Sequence, residues 1–176
     1  STLKFVIINS VYKFKSFTLK KKCKLHNVKL IKFDKNIEAL SHIDKFAPDI
    51  VLTSIDYLVP ERYLLNKTVF LNSHCSLLPK YKGFDSVFWA LQNNEKNYGA
   101  TILKISKTYD SGEILEQTKI KKNIELSYYS ILRESYNLIY LMYDRLFENQ
   151  FISKKLPNDN TKIYTRPESS LGKEFR

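Results

Sequence analysis

The sequence predicts an α/β protein: a doubly wound, mostly parallel sheet finished by a late antiparallel hairpin and a long C-terminal helix. Two observations carry this expectation. Short apolar runs rich in β-branched side chains recur through the first half, as LKFVIIN, DIVLT and TVFLN. Strands buried on both faces need such continuous runs. Between the runs lie segments with helical spacing of apolar residues, punctuated by Pro. Alternation of this kind argues for parallel strands joined by crossover helices.

Each element follows in order. Residues 3–9 form the first strand, and no Gly-rich phosphate loop follows it. Residues 13–26 read as a basic helix with Phe14, Phe17 and Leu25 inward, and residues 28–33 as a second strand. Asn36 is expected to cap a helix through Phe46, with Ile37, Leu40, Ile43 and Phe46 on one face. Pro48 ends it, and residues 49–53 form a third strand. Residues 54–66 hold a loop and a short helix opened by Pro60, before a fourth strand at 68–72.

Pro79 and Gly83 shape the loop CSLLPKYKG. Residues 84–94 are helical, with Val87, Phe88 and Leu91 inward and Trp89 nearby. Residues 99–105 and 112–120 pair as a hairpin around a loop carrying Asp110. Residues 126–147 make the longest helix. Its Tyr128, Tyr129, Leu132, Tyr136, Ile139, Tyr140 and Tyr143 read as core and interface rather than a base-stacking platform. The tail contains Pro157, Pro167 and Gly172 and is expected to be irregular. The sum is a Rossmann-like domain over residues 1–150 with the tail, 151–176, packed on it.

Composition bounds the function. A chain of 176 residues with 43% hydrophobic and 14% aromatic content buries a full core as one domain. No apolar run reaches the ~20 residues of a membrane span, and no signal-peptide pattern is present. Cys23 and Cys75 form no CxxC or His/Cys cluster, so a reducing, cytoplasmic setting and no metal are expected. The net charge is +11, but the lysines (Lys20–Lys22, Lys119, Lys121, Lys122, Lys154, Lys155 among them) are scattered rather than striped. This reads as a lysine-rich surface, with nucleic acid not expected as a partner. The excess would still help attract a small phosphorylated substrate.

One constellation stands out. Asn72 and His74 lie two apart where the fourth strand ends, so their side chains point to the same side. Asp110 sits in a Gly-containing turn that can approach them. A histidine moves protons near pH 7, and a carboxylate beside it fixes its orientation and favours its charged form. An amide can donate to an oxygen that becomes negative during acyl transfer. Each residue alone is more often a structural cap or turn. Together, at the carboxyl end of a strand where open α/β sheets bind ligands, they point to acyl transfer.

The order of these residues, Asn-x-His-x-Ser-Leu-Leu-Pro-x-Tyr-x-Gly from Asn72 to Gly83, then Gly-x-Thr, then Asp-x-Gly-x-Ile-Leu from Asp110 to Leu115, resembles the formyltransferases that use N10-formyltetrahydrofolate. The match spans residues 49–120 or so. The resemblance implies that Asn72 donates to the formyl oxygen, that His74 polarises that oxygen or moves a proton, and that Asp110 holds His74 or a relay water. It places the pterin along Ile55, Asp56, Tyr57 and Leu58, with Tyr109 and Gly112 closing the other side. Ser76, Lys80, Tyr81, Lys82 and Gly83 would shape the floor and acceptor pocket, with Lys80, Lys82, Tyr164 and Arg166 contributing to a nucleotide site. Ser76 lacks a nucleophile elbow and is expected to support rather than attack. Cys75 stands where the family usually has Pro, and the loop 53–60 is slightly shorter than in the tRNA enzyme.

For the acceptor, the form HCSLLPKYKGFDSVFWAL is most similar to sugar N-formyltransferases. This implies a nucleotide-linked amino sugar such as a dTDP- or GDP-amino-deoxyhexose. The start lacks the Gly-rich segment of glycinamide ribonucleotide transformylase, and the chain ends where methionyl-tRNA formyltransferase continues into a tRNA-binding domain. Glycinamide ribonucleotide or aminoacyl-tRNA acceptors remain alternatives, as does a formyltetrahydrofolate hydrolase with the same three residues. A non-catalytic binding descendant would have replaced one of the three, and all are present. The resemblance also implies a homodimer, through the Tyr-rich helix or the hairpin.

Overall fold

In the computed structural model, residues 5–9, 36–120, 127–149 and 161–168 are described. The expected helix over 13–26 and strand over 28–33 lie outside them. In chain order the elements are β1 (Phe5–Asn9), α1 (Asn36–Phe46), β2 (Ile50–Ser54), α2 (Glu61–Leu64) and β3 (Val69–His74). Then come β4 (Lys82–Gly83), α3 (Ser86–Gln92), β5 (Gly99–Lys104), β6 (Ile114–Lys119), α4 (Tyr128–Glu148) and β7 (Ile163–Tyr164).

The main sheet has the order β1-β2-β3-β5-β6. β1, β2 and β3 pair in parallel, β5 runs antiparallel to β3, and β6 antiparallel to β5. Among the described strands of this sheet, all but β5 therefore point the same way, which is the expected mostly parallel sheet with its late hairpin. β3 runs on through His74 rather than ending at residue 72, because β5 pairs with it there, Asn72 opposite Leu103 and His74 opposite Thr101. β6 begins at Ile114 rather than 112, beside an irregularity between Ile102 and Leu103.

Alternation along the strands splits the core between two faces. Ile50, Leu52 and Leu71 join Ala100, Ile102, Leu115 and the α4 residues Ile139, Met142 and Leu146. Val51 and Phe70 join Leu40, Ile43, Val59 and Tyr63 from the α1–α2 side. Helices thus cover both faces of β2 and β3, which is why those strands read as unbroken apolar runs.

The inward face of α1 consists of Ala39, Leu40 and Ile43. Ile37 and Phe46, expected inward, are 46% and 44% exposed, because they sit at the two ends of the helix, away from its buried middle. α3 is shorter than expected, since Asp85 before it takes a left-handed φ of 49°. Leu91 is half-buried, and Ser86, Val87, Phe88 and Ala90 are buried. α4 opens with a capping box in which Ser127 and Ser130 each bond the other's backbone N–H. It buries Ile131, Ser135, Ile139, Met142 and Leu146 at helical spacing, whereas Tyr129 and Tyr140 are more than half exposed. The tail is not wholly irregular: Ile163 and Tyr164 pair in parallel with Lys82 and Gly83.

Candidate active site

The carboxyl ends of β2 and β3 open into a cavity of about 170 Å³, and Asn72, His74 and Asp110 all line it. Adjacent parallel strands set the first contact: Thr53 of β2 is in register with Asn72 of β3. Its hydroxyl lies 2.9 Å from the Leu71 carbonyl and 3.0 Å from Asn72 Oδ1, and donates to them. That interaction fixes the amide so that its N–H groups face away, towards Asp110 Oδ1 at 3.4 Å.

Asp110 arrives on the turn before β6 with φ of 47°. Asp tolerates this left-handed region better than most residues. Its Oδ2 accepts from the Gly83 N–H at 2.8 Å and lies 3.4 Å from His74 Nδ1. Both side chains of the His74–Asp110 pair are only 8% exposed. On the other edge of the ring, His74 Nε2 is 2.8 Å from the Tyr81 carbonyl oxygen. A carbonyl can only accept, so Nε2 carries a hydrogen. A bare Nδ1 lone pair opposite a bare carboxylate oxygen would repel, so the Nδ1–Oδ2 axis is a seat for one proton. Of the two ring nitrogens, Nδ1 is the one not taken by a backbone carbonyl.

Of the other expected site residues, Ile55, Asp56, Tyr57, Leu58, Tyr109, Gly83 and Arg166 also line this cavity. The Tyr57 hydroxyl is buried with no hydrogen-bond partner among the described residues. Burial, and then the neighbouring Asp56 carboxylate, push its pKa up. Leu103, Ile105 and Val87 add apolar wall. An apolar slot with a few convergent polar groups suits a flat heterocycle.

The structure separates the rest. Gly112 does not line the cavity; a Cβ there would collide with the Lys104 carbonyl oxygen, so glycine is required by the close approach of the turn to β5. Ser76, Lys80 and Tyr81 line a second cavity of about 260 Å³ with Glu95 and Tyr98. Ser76 Oγ donates to the Lys80 carbonyl at 3.0 Å, and Lys80 Nζ pairs with Glu95 at 2.9 Å. Lys82 is 1% exposed, with Nζ 3.2 Å from Ser111 Oγ, and is therefore no surface cation. Tyr164 packs at a tilt against Tyr81 and Trp89, ring centroids 5.5 and 5.2 Å apart.

Cys75, next to His74, is a poor nucleophile here. Burial pushes its thiol up to about 12, with the Tyr136 hydroxyl pulling it down and the Asp110 charge pushing it up. Sequence reasoning missed Thr53, the Tyr81 carbonyl and the Gly83 N–H. The last two are backbone groups with no residue-type signal, and Thr53 matters only through the strand register.

Residues 18–133 match the protein-family model described as Formyl transferase. A methionyl-tRNA formyltransferase of Finegoldia magna is 31% identical over 132 residues, covering 70% of this chain and 41% of that protein. The chain thus spans about two fifths of that relative's length. HypX from Aquifex aeolicus, solved in complex with tetrahydrofolic acid, superposes with TM-score 0.75 at 20% identity, over 97% of this chain and 31% of its own. A sugar N-formyltransferase from a Shewanella species superposes with TM-score 0.62 at 14% identity, over 90% of this chain and 74% of its own. At those identities the two structural likenesses are ones of fold.

Proposed function

The chain belongs to the formyl transferase family, and on that premise we propose that it transfers a formyl group from N10-formyltetrahydrofolate to the primary amine of a nucleotide-linked amino sugar. The observation that carries the chemistry is the convergence of Asn72, His74 and Asp110 on one cavity. The folate supplies the formyl group and the leaving nitrogen. Ile55, Asp56, Tyr57 and Leu58 on one side and Tyr109 on the other would hold its pterin, and the HypX likeness, to a protein solved with tetrahydrofolic acid, supports that choice of donor.

As the amine nitrogen bonds to the formyl carbon, the carbonyl π electrons move to oxygen. Asn72 Nδ2–H and a hydrogen on His74 Nδ1 donate to that oxyanion; one such donor is worth roughly 100- to 1,000-fold in rate. Asp110 takes the proton released by the attacking nitrogen, directly or through a water, and returns one to the departing folate nitrogen. The products are a formamide and tetrahydrofolate, and the three side chains end as they began.

For the acceptor, Arg166 is the useful cation. Among the described residues lining the cavity, Lys104 and Arg166 are the Lys or Arg side chains, and Lys104 pairs with Glu113 at 2.7 Å. Arg166 pairs with Asp56 while 61% exposed, its guanidinium 4.7 Å from the Phe84 ring. An exposed pair of this kind is worth at most about 1 kcal/mol and can be exchanged for a diphosphate, which a guanidinium can also bind through two parallel hydrogen bonds. The fold likeness to a sugar N-formyltransferase supports the same acceptor class. The methionyl-tRNA formyltransferase relative and the net charge of +11 favour aminoacyl-tRNA as a second reading.

The test is a panel. The protein is incubated with N10-formyltetrahydrofolate and dTDP- and GDP-linked amino-deoxyhexoses, glycinamide ribonucleotide, methionyl-tRNA, or water alone, and a formyl mass gain is sought on each acceptor. Gain on a sugar nucleotide is expected. Gain on methionyl-tRNA alone would move the assignment to the second reading, and folate turnover without an acceptor would make the protein a hydrolase. His74→Ala should abolish transfer while the protein stays folded; full activity in that variant would refute the mechanism.

A further inference from the structure

We propose that residues 161–168 act as a positioning strap for the His74–Asp110 pair, with Tyr164 as its anchoring residue. The inference rests on the roles given to those two side chains above. It starts from where their outer hydrogen bonds go. His74 Nε2 is held by the Tyr81 carbonyl and Asp110 Oδ2 by the Gly83 N–H, each at 2.8 Å. Both are backbone groups of one short stretch, and that stretch is not part of the main sheet. The sheet partner of β4 is β7.

The strap grips this stretch at several points. The Phe84 N–H donates to the Tyr164 carbonyl at 3.0 Å. Trp89 Nε1–H donates to the Thr165 carbonyl at 2.9 Å, and Thr161 Oγ donates to the Pro79 carbonyl. Gly83, at φ of 92°, has no Cβ where the Tyr164 carbonyl oxygen comes close, so the two backbones meet without an intervening side chain.

Tyr81 explains why a strap is needed. Its φ is 57°, in the left-handed region. A non-glycine residue there brings its Cβ too close to the following carbonyl oxygen, and such a residue persists only where its surroundings over-determine it. The Tyr164 ring packs against both the Tyr81 ring and the Trp89 ring. It therefore holds Tyr81 in the conformation that aims its carbonyl at His74. Without the strap, Tyr81 can relax, the Nε2 partner is lost, and the ring can turn or change tautomer.

The test uses the 176-residue chain with Tyr164→Ala, Tyr164→Phe, Trp89→Phe and His74→Asn. Formyl transfer is followed with a dTDP-linked amino-deoxyhexose, and the His74 ring by nitrogen-15 NMR without substrate. For Tyr164→Ala, kcat should fall roughly 10- to 100-fold, the scale of a sub-ångström to ångström misplacement, while KM for N10-formyltetrahydrofolate is unchanged. The His74 Nε2 signal should move from that of a fully protonated nitrogen to a mixture of protonated and bare forms. Tyr164→Phe should restore both, since the ring makes the contacts. Trp89→Phe keeps an aromatic ring and removes one strap hydrogen bond, so it should fold and show a smaller shift in the same direction. Wild-type kcat and ring signal in Tyr164→Ala, or lowered thermal stability with both unchanged, would overturn the strap. If instead His74→Asn stays active, the role of His74 is wrong, and the ring signal still decides the strap by itself.

Discussion

Replacing Asp110 with Asn keeps the shape of the side chain and changes one oxygen into a donor, so the hydrogen-bond geometry dictates the outcome. Oδ2 accepts from Gly83 N–H at 2.8 Å and Oδ1 faces Asn72 Nδ2 at 3.4 Å. An amide cannot satisfy both. If its oxygen faces Gly83, its NH2 opposes the Asn72 NH2; if flipped, the NH2 opposes the Gly83 N–H at the shorter distance. The first arrangement is milder and leaves one donor–donor contact, at about 1–3 kcal/mol of stability for the unsatisfied group. The chemical cost is larger, because the amide cannot take the amine proton and no carboxylate faces His74 Nδ1. General acid–base assistance is worth about 100- to 10,000-fold, so kcat should fall by that factor with folate binding nearly intact. Single-turnover formyl transfer beside thermal melting separates the two effects. An Asp110→Asn enzyme within tenfold of wild type, melting normally, would refute the proton-seat argument.

Two further outcomes follow from neighbouring groups. Thr53→Val is nearly isosteric and removes the hydroxyl that orients Asn72; it should lower kcat up to about tenfold, the weight of one neutral hydrogen bond, with KM values unchanged, and steady-state kinetics checks it. Cys75, held near 12 by burial, should carry about 1,000-fold less thiolate at neutral pH than an ordinary thiol. In a Cys23→Ser background it should resist iodoacetamide until the protein unfolds, as read by peptide mass mapping. The same raised pKa gives stability that is complete below the ordinary thiol value near 9 and lost as pH rises towards 12. That loss is at most about 1.4 kcal/mol per pH unit, so alkaline melting of Cys75→Ala should fall less steeply than wild type.

Periodicity and punctuation made the large elements legible. The apolar runs of β2 and β3 and the spacing of Leu40 and Ile43 or of Ile139, Met142 and Leu146 are local signals that packing then honours. That Asn72 and His74 share one side of their strand was legible because period two on a strand is a local rule, and that Asp110 comes near them because its turn carries a motif. What failed was non-local. Lys82 reads as a cation of the acceptor and nucleotide pocket, yet its neighbours in space bury it. Gly112 reads as part of a ligand turn, yet its lack of a Cβ serves the Lys104 carbonyl. β7 is two residues long, too short for any period, and its partner lies some eighty positions upstream.

Those non-local contacts explain how so mobile a segment type as a loop can hold a proton pair steady. The loop after β3 is fastened at both ends. At its near end the buried Thr101 hydroxyl donates to the Ser76 carbonyl and accepts from Leu78 N–H, while Gln117 Nε2 donates to the Leu78 carbonyl at 2.8 Å. Thr101 and Gln117 face each other across the β5–β6 pair, so the antiparallel hairpin is itself the anchor. At the far end β7 pairs with β4. Between these points the backbone has few soft degrees of freedom, and the Tyr81 carbonyl and Gly83 N–H become fixed dipoles aimed at His74 and Asp110. Fixed backbone dipoles cost no reorganisation as charge develops, whereas long polar side chains in the same role would lose rotamer entropy. The reversed strand β5 thus has a structural consequence: it sets Thr101 beside His74 in register and ties the loop to the sheet from which Asn72 and His74 project.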